Sequence, residues 1–334
     1  MTSTSVATGR QLTSAQTIHR GDVHRAAIAE VFLTDHEPTS DGMRAAAQLP
    51  RNHSYFSDHR GAVTSYDPLL LIEVFRQASI LYAHTSCEAS SDQKFIFNSA
   101  EFTILDPAGL RVGGRPGHCE IAVTVADRVL RQGTVTGVTL DFLAIIDGVE
   151  TASERMVLQW MPPKVWERIR GRARADLGLT DPPQLGEAER YFRLRPFSVG
   201  RTNPRNSILA NPIECQSGLE ASVIIDTEHP SLFDHELDHV PGMLLFEASR
   251  QIAMAASNHE LARDTSRMLL TGLSMNFTAF GELELPTSAR AHVLSSDDGG
   301  AQKVGVELTQ NGAAIAHGFI ELSPHRPDVR NLVL

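Results

Sequence analysis

The sequence predicts an α+β fold written twice, each copy an antiparallel sheet curled round one long buried helix. Two observations carry this. The first is a repeated signature: His53-Ser-Tyr-Phe-Ser-Asp58-His59 precedes Glu73-Val-Phe-Arg76-Gln77, and His229-Pro-Ser-Leu-Phe-Asp234-His235 precedes Glu247-Ala-Ser-Arg250-Gln251. The leading histidine recurs after 176 residues (53 to 229) and the glutamate after 174 (73 to 247), a period that fits two copies of a domain and is too long for a solenoid. The second is a stretch, Leu69 to Ala83, that is apolar nearly all round and too long for a strand, repeated from Met243 to Ala256.

Each copy surrounds its helix with β-rich runs. In the first these are 30–34, 43–49, 95–104, 119–125, 138–146 and 155–160; in the second, 207–210, 221–225, 268–280, 289–294, 304–308 and 313–322. Asp147-Gly148 and Asn311-Gly312 read as tight hairpin turns. Wrapping the sheet round the helix, the hotdog arrangement, buries such a helix most simply, and two copies side by side make a pseudo-dimer with a continuous sheet. Further matches fix the copies at residues 22–161 and 198–326: Val23-His24-Arg25 with Val199-Gly200-Arg201, Asp41-Gly42-Met43 with Ser217-Gly218-Leu219, and Phe102-Thr103 with Phe277-Thr278. Residues 1–21, rich in Ser, Thr and Gln, read as a disordered arm, and 327–334 as a tail. The linker, 162–197, carries Arg168, Arg170, Arg172 and Arg174, read as a solvated helix face or as a docking site for an acidic partner.

Composition narrows the function. A net charge of −10 argues against nucleic-acid binding, and no run approaches the roughly 20 apolar residues of a membrane span. The start of the chain lacks the pattern of a secretory signal, so a cytoplasmic protein is expected, with Cys87, Cys119 and Cys215 reduced.

Glu73, Arg76 and Gln77 stand at i, i+3 and i+4 on an otherwise apolar helix, as do Glu247, Arg250 and Gln251. Burying a carboxylate costs several kcal/mol unless it is paired, so its repetition marks either a site or an intrahelical pair that pins the helices. His53, His59, His229 and His235 are candidate acid–base groups, with a structural histidine as the plainer alternative, and Asp58 and Asp234 suit capping. Gly242 follows Pro241 at the second helix start, where backbone N–H groups can polarise a carbonyl; Asp67-Pro68 stands there in the first copy and is the poorer site. His235-Glu-Leu-Asp-His239 matches a zinc-protease pattern, but Pro241-Gly242 follows at once and the first copy has no equivalent, so no metal is expected.

With these residues in place, the double motif resembles the A-factor biosynthesis (AfsA-type) proteins over about residues 22–326, and Pro241-Gly242-x4-Glu247-x3-Gln251 also resembles the central-helix motif of β-hydroxyacyl carrier-protein dehydratases. The resemblance implies synthesis of γ-butyrolactone, butenolide or furan signalling molecules by moving a β-ketoacyl group from an acyl carrier protein to the hydroxyl of dihydroxyacetone phosphate. It implies no cofactor beyond the phosphopantetheine that arrives on the carrier. Glu247 or Glu73 would take the hydroxyl proton, directly or through a histidine, while Arg76 or Arg250 binds phosphate. A dehydratase or thioesterase acting on a carrier-bound acyl group, and a non-catalytic butyrolactone-binding regulator, are the competing readings.

Overall fold

The computed structural model describes residues 10–58, 65–180, 183, 192–216, 218–261 and 268–324. The first copy supplies β1 (Leu33–Pro38), β2 (Gly42–Leu49), α1 (Pro68–Ser86), β3 (Lys94–Ile104), β4 (Gly117–Arg131), β5 (Thr134–Ile146) and β6 (Val149–Met161). After the linking helix α2 (Pro163–Asp176) come β7 (Leu209–Cys215), β8 (Gly218–Val223), α3 (Gly242–Leu261), β9 (Met268–Phe277), β10 (Thr287–Ser296), β11 (Gln302–Gln310) and β12 (Ala313–Pro324). The strands form one sheet in the order β1-β2-β4-β5-β6-β3-β9-β12-β11-β10-β8-β7, which reads alike from both ends once the copies are exchanged. The centre is the antiparallel β3–β9 pair, from Ser99 opposite Asn276 to Thr103 opposite Gly272. Each half is a hotdog, and the whole is the tandem pseudo-dimer that the repeat predicts.

Local chemistry explains the elements. Asp67 caps α1, accepting from the Leu69 N–H, and Pro68 begins the helix where a missing N–H is harmless. Phe75 of α1 packs on Phe142 and Phe102, with ring centroids 5.1 and 6.4 Å away. At the hairpins, Asp147-Gly148 and Asn311-Gly312 both take positive φ at both positions, as a two-residue turn of matching twist requires. Gln132-Gly133 does the same between β4 and β5. Glutamine is an uncommon turn residue, so that hairpin was less legible in the sequence.

Two expectations change. From Arg10 onward the N-terminal arm is packed: Arg10 forms a bidentate pair with Asp35 at 2.6 and 2.5 Å, Leu12 is buried, and Ile18 N–H bonds to Leu33 O. The linker helix is only partly solvated. Arg170 grips Glu282 at 2.5 and 2.8 Å, and Arg174 reaches Glu282 at 2.6 Å and Glu284 at 2.5 Å, so α2 is bolted to the second copy. Arg168 and Arg172 alone of the four face solvent, which halves the charge available for docking. The expected tail, residues 327–334, lies outside the described residues. No helix among the described residues is long and apolar enough to cross a membrane.

Gly42 and Gly218 show the repeat as packing. A Cβ on Gly42 would sit 1.9 Å from Val123 O, and one on Gly218 2.1 Å from Ala291 O, each at the start of an equivalent strand. Gly42→Ala or Gly218→Ala should therefore cost about 1–3 kcal/mol through overpacking, read as a lower denaturation midpoint.

Candidate active site

The helix carboxylates are fully buried and bound by two guanidiniums each. Glu73 Oε1 accepts from Arg25 Nε at 3.0 Å, from Arg76 at 2.9 Å and from Gln77 at 2.7 Å, and Oε2 accepts from Arg76 Nε at 2.7 Å. Glu247 repeats this with Arg201 at 2.8 Å, Arg250 and Gln251. The amides complete the lattice. Gln77 donates to Glu30 O and accepts from Phe32 N–H, and Gln251 donates to Asn206 O and accepts from Ile208 N–H. Burial works to raise the Glu73 carboxyl, but Arg25 and Arg76 overcome it and hold it at about 2. A carboxylate so saturated is a poor proton acceptor. The expectation that Glu73 or Glu247 would deprotonate a hydroxyl is thus replaced: each orients guanidiniums. Arg25 and Arg201 were visible as a repeated pair in the sequence, and their role was missed because they lie some 46–48 residues from the glutamates they bind.

The histidines divide. His53 Nδ1 accepts from the N–H groups of Tyr55 and Phe56, both at 3.2 Å, while its Nε2 lies 3.3 Å from Glu30. His229 Nδ1 accepts from Ser231 and Leu232 N–H at 3.4 and 3.2 Å, and Nε2 is 3.0 Å from Asn206 Oδ1. With both nitrogens engaged, these rings hold turns, which corrects their candidacy as acid–base groups. Asp58 and Asp234 cap the partner copy, Asp58 accepting from Asn203 N–H at 3.0 Å and Asp234 from Ala26 and Ala27 N–H at 2.6 and 2.9 Å. His59 lies outside the described residues. His235 lines a cavity.

That cavity, about 810 Å³, joins α1 of the first copy to the α3 start and preceding loop of the second. Arg25 and Arg76 form one wall with His24 and His235; Ile72, Ile80, Phe97 and Phe277 supply apolar surface; Pro241 and Gly242 stand beside them. Gly242 is open, a Cβ there meeting nothing closer than Phe277 at 4.0 Å. The loop 235–239 is not helical, so His235 and His239 share no helix face as the zinc pattern would need.

The pseudo-equivalent site is filled. Tyr55 lies against Arg201, whose guanidinium carbon is 4.4 Å from the ring centroid, and Asp67 accepts from Arg250 at 2.6 Å. Arg201, Arg250, Tyr55 and Asp67 are all buried. Their counterparts at the open site are Ser231, 176 residues after Tyr55, and Pro241, 174 after Asp67. Small and uncharged side chains leave a cavity where large or charged ones make a strut. Gly242 is brought to the open cavity together with Arg76 and His235, whereas Arg250, Gln77 and Gln251 stay in buried structural bonding.

Two of the cavity imidazoles, His24 and His235, are held in the neutral form. Burial lowers His235, and Arg25 and Arg76 lower it further; burial, then His84 and Arg76, bring His24 down to about 4.

Glu247→Gln leaves Arg201 and Arg250 facing Asp67 alone and should cost about 3–5 kcal/mol in chemical denaturation. His229 also sits near 4, held there by burial and then by Arg205, while an unfolded histidine titrates near 6.5. The unfolded chain therefore binds more protons across that window. Stability is fully present above about pH 6.5 and falls as pH drops toward about 4, and His229→Gln should flatten that slope in urea midpoints measured from pH 7.5 to 5.

The profile of the A-factor biosynthesis hotdog domain, AfsA, matches residues 6–158 and 186–324. The chain is 33% identical over 301 residues to the 2-oxo-3-(phosphooxy)propyl 3-oxoalkanoate synthase of Streptomyces virginiae, covering 90% of this chain and 95% of that protein. A Streptomyces coelicolor protein of the same name is 26% identical over 295 residues, 88% of this chain and 87% of its own. Among solved structures, a Lactobacillus plantarum protein described as an oleoyl thioesterase superposes with a TM-score of 0.51 at 10% identity, covering 86% of this chain and 99% of that one. At that identity the likeness concerns the fold alone. The repeated Glu-x2-Arg-Gln helices, the tandem hotdog and the match over both copies make this chain a member of the AfsA family of A-factor biosynthesis hotdog proteins.

Proposed function

We propose that this protein moves a β-ketoacyl (3-oxoacyl) group from an acyl carrier protein to the primary hydroxyl of dihydroxyacetone phosphate, within synthesis of a γ-butyrolactone-type signalling molecule. The relatives' names describe the ester that such a transfer makes. The carrying observation is one cavity that combines the Arg25–Arg76 pair, the neutral imidazoles of His24 and His235, an open helix start and an apolar wall.

The chemistry follows from those parts. Arg25 and Arg76, held in place by Glu73, present cationic N–H groups to a phosphate dianion. The first intrahelical bonds of α3 run from Leu244 and Leu245 to Pro241 O, so the N–H groups of Gly242 and Met243 lie ahead of them, among the unpaired donors of a helix start. Those donors suit the oxyanion that forms when the hydroxyl oxygen attacks the thioester carbonyl. A neutral cavity imidazole takes the hydroxyl proton. As the C–S bond breaks, that proton passes to the departing thiolate of the carrier's phosphopantetheine. A thioester is already activated, so the transfer calls for no nucleotide, metal or other cofactor. Carrier-bound acyl groups and dihydroxyacetone phosphate are metabolites of the cytoplasm, where we place the activity.

Intact-mass spectrometry of a β-ketoacyl-loaded carrier, incubated with the protein with and without dihydroxyacetone phosphate, tests this. Unloading should require the phosphate acceptor. Unloading without it would indicate a thioesterase, and an unchanged carrier would favour a non-catalytic binder. Arg76→Ala should lower kcat/KM for the acceptor by about ten- to a hundredfold, the loss of one charge-assisted hydrogen bond, and Arg76→Lys should restore little of it. Glu247→Gln should keep its turnover per folded molecule, because the closed site takes no part.

A further inference from the structure

The cavity wall holds an imidazole outside the repeated motif, and its tautomer can be worked out from its partners. The Ala89 carbonyl can only accept, so His84 Nδ1, 2.7 Å away, carries the hydrogen. In a neutral His84 ring, Nε2 is then a bare lone pair, and His24 Nε2, 3.0 Å from it, is the donor. That leaves His24 Nδ1 as a lone pair, and among the described residues no hydrogen bond reaches it. The ring is packed against His84 and Phe95, with centroids 5.1 and 5.2 Å away. In the second copy the equivalent of His24 is Gly200, where a Cβ would lie 2.8 Å from Met254 Sδ, and the equivalent of His84 is Asn258. The imidazole pair exists only where the cavity is open.

We propose that His24 is the general base of the transfer, its Nδ1 taking the acceptor's hydroxyl proton, and that His84 is a positioning residue that fixes the tautomer. This rests on the acyl-transfer reading above. The hydroxyl oxygen bonds to the thioester carbon, the C–S bond breaks, and the imidazolium returns its proton to the thiolate, so no co-reactant is needed. The groups that face His24 are His84 and Arg76 from α1, Lys94 from β3 and His235 from the loop before α3. Each is cationic or neutral, which keeps the lone pair free at neutral pH. A phosphate dianion on Arg25 and Arg76 cancels part of that field, making His24 a stronger base when the acceptor is seated. His235 lacks this preparation: its Nδ1 is buried without a hydrogen bond, 3.6 Å from Asp234.

Nitrogen-15 NMR of the histidine rings in the whole protein at neutral pH should show His24 as the Nε2–H tautomer, with its bare Nδ1 shifting when dihydroxyacetone phosphate is added. The Nδ1–H form would overturn the assignment whether or not the carrier is unloaded. In turnover, His24→Ala should lower kcat by about 10²- to 10⁴-fold with the acceptor's KM little changed, and added imidazole should restore part of the rate. His84→Phe keeps the ring packing but loses the acceptor; it should scramble the His24 tautomer and lower kcat without moving KM. An unchanged kcat in His24→Ala, or imidazole rescue confined to His235→Ala, would sink the proposal. A wild-type protein that leaves the carrier loaded overturns the transfer reading and the proton role together, whereas a wrong tautomer strikes at His24 alone.

Discussion

Two carboxylates at the heart of the molecule, each bound by two guanidiniums and a glutamine amide, set the geometry of everything around them. Removing a carboxylate from water is unfavourable, and only this density of donors makes it tolerable. Through Arg25 and Arg201 the same bonds draw the segments that enter each copy down onto its helix. Through Gln77 and Gln251 they tie each helix to the backbone just before the first strand. Asp58 and Asp234 then cap the segment that follows the other copy's arginine, so the two halves are interlocked by matched polar contacts as well as by the β3–β9 seam.

The same frame has opposite outcomes in its two settings. Around Glu247 the guanidiniums meet Tyr55 and Asp67 and are sealed from water. Around Glu73 they look into space: Pro241 stands in the wall in the place of Asp67, and Ser231, in the place of Tyr55, bonds to Glu30 instead. The carboxylate does the same work in both places, keeping the guanidiniums oriented and compensated. What differs is whether the guanidiniums are closed in by protein or face a cavity.

The architecture was legible in the sequence because duplication turns one ambiguous apolar run into two that corroborate each other. The hairpins at Asp147-Gly148 and Asn311-Gly312 were legible for the same reason, while Gln132-Gly133, with an unusual residue at its first position, was not. The helix triads stand out in the sequence but their bonding does not: sequence shows Glu73 beside Arg76 and cannot show the further cation, Arg25, that arrives from far along the chain. The motif histidines misled for a related reason. A shared spacing marks a shared structural duty as readily as a catalytic one, and His53 and His229 fold their own turns. His24 broke the repeat, standing opposite Gly200, and so escaped a search for what the copies have in common.

A hotdog dimer of identical chains must place every residue in both of its sites, so a change that benefits one is imposed on the other. Covalent fusion lifts that restriction. Tyr55 and Ser231, or Asp67 and Pro241, occupy corresponding positions yet are encoded separately, and each half can drift on its own. One half is thereby free to become ballast that stiffens the assembly, while the other trades rigidity for an opening. Asymmetry of this kind becomes heritable once the two protomers are encoded separately, as they are here within one reading frame.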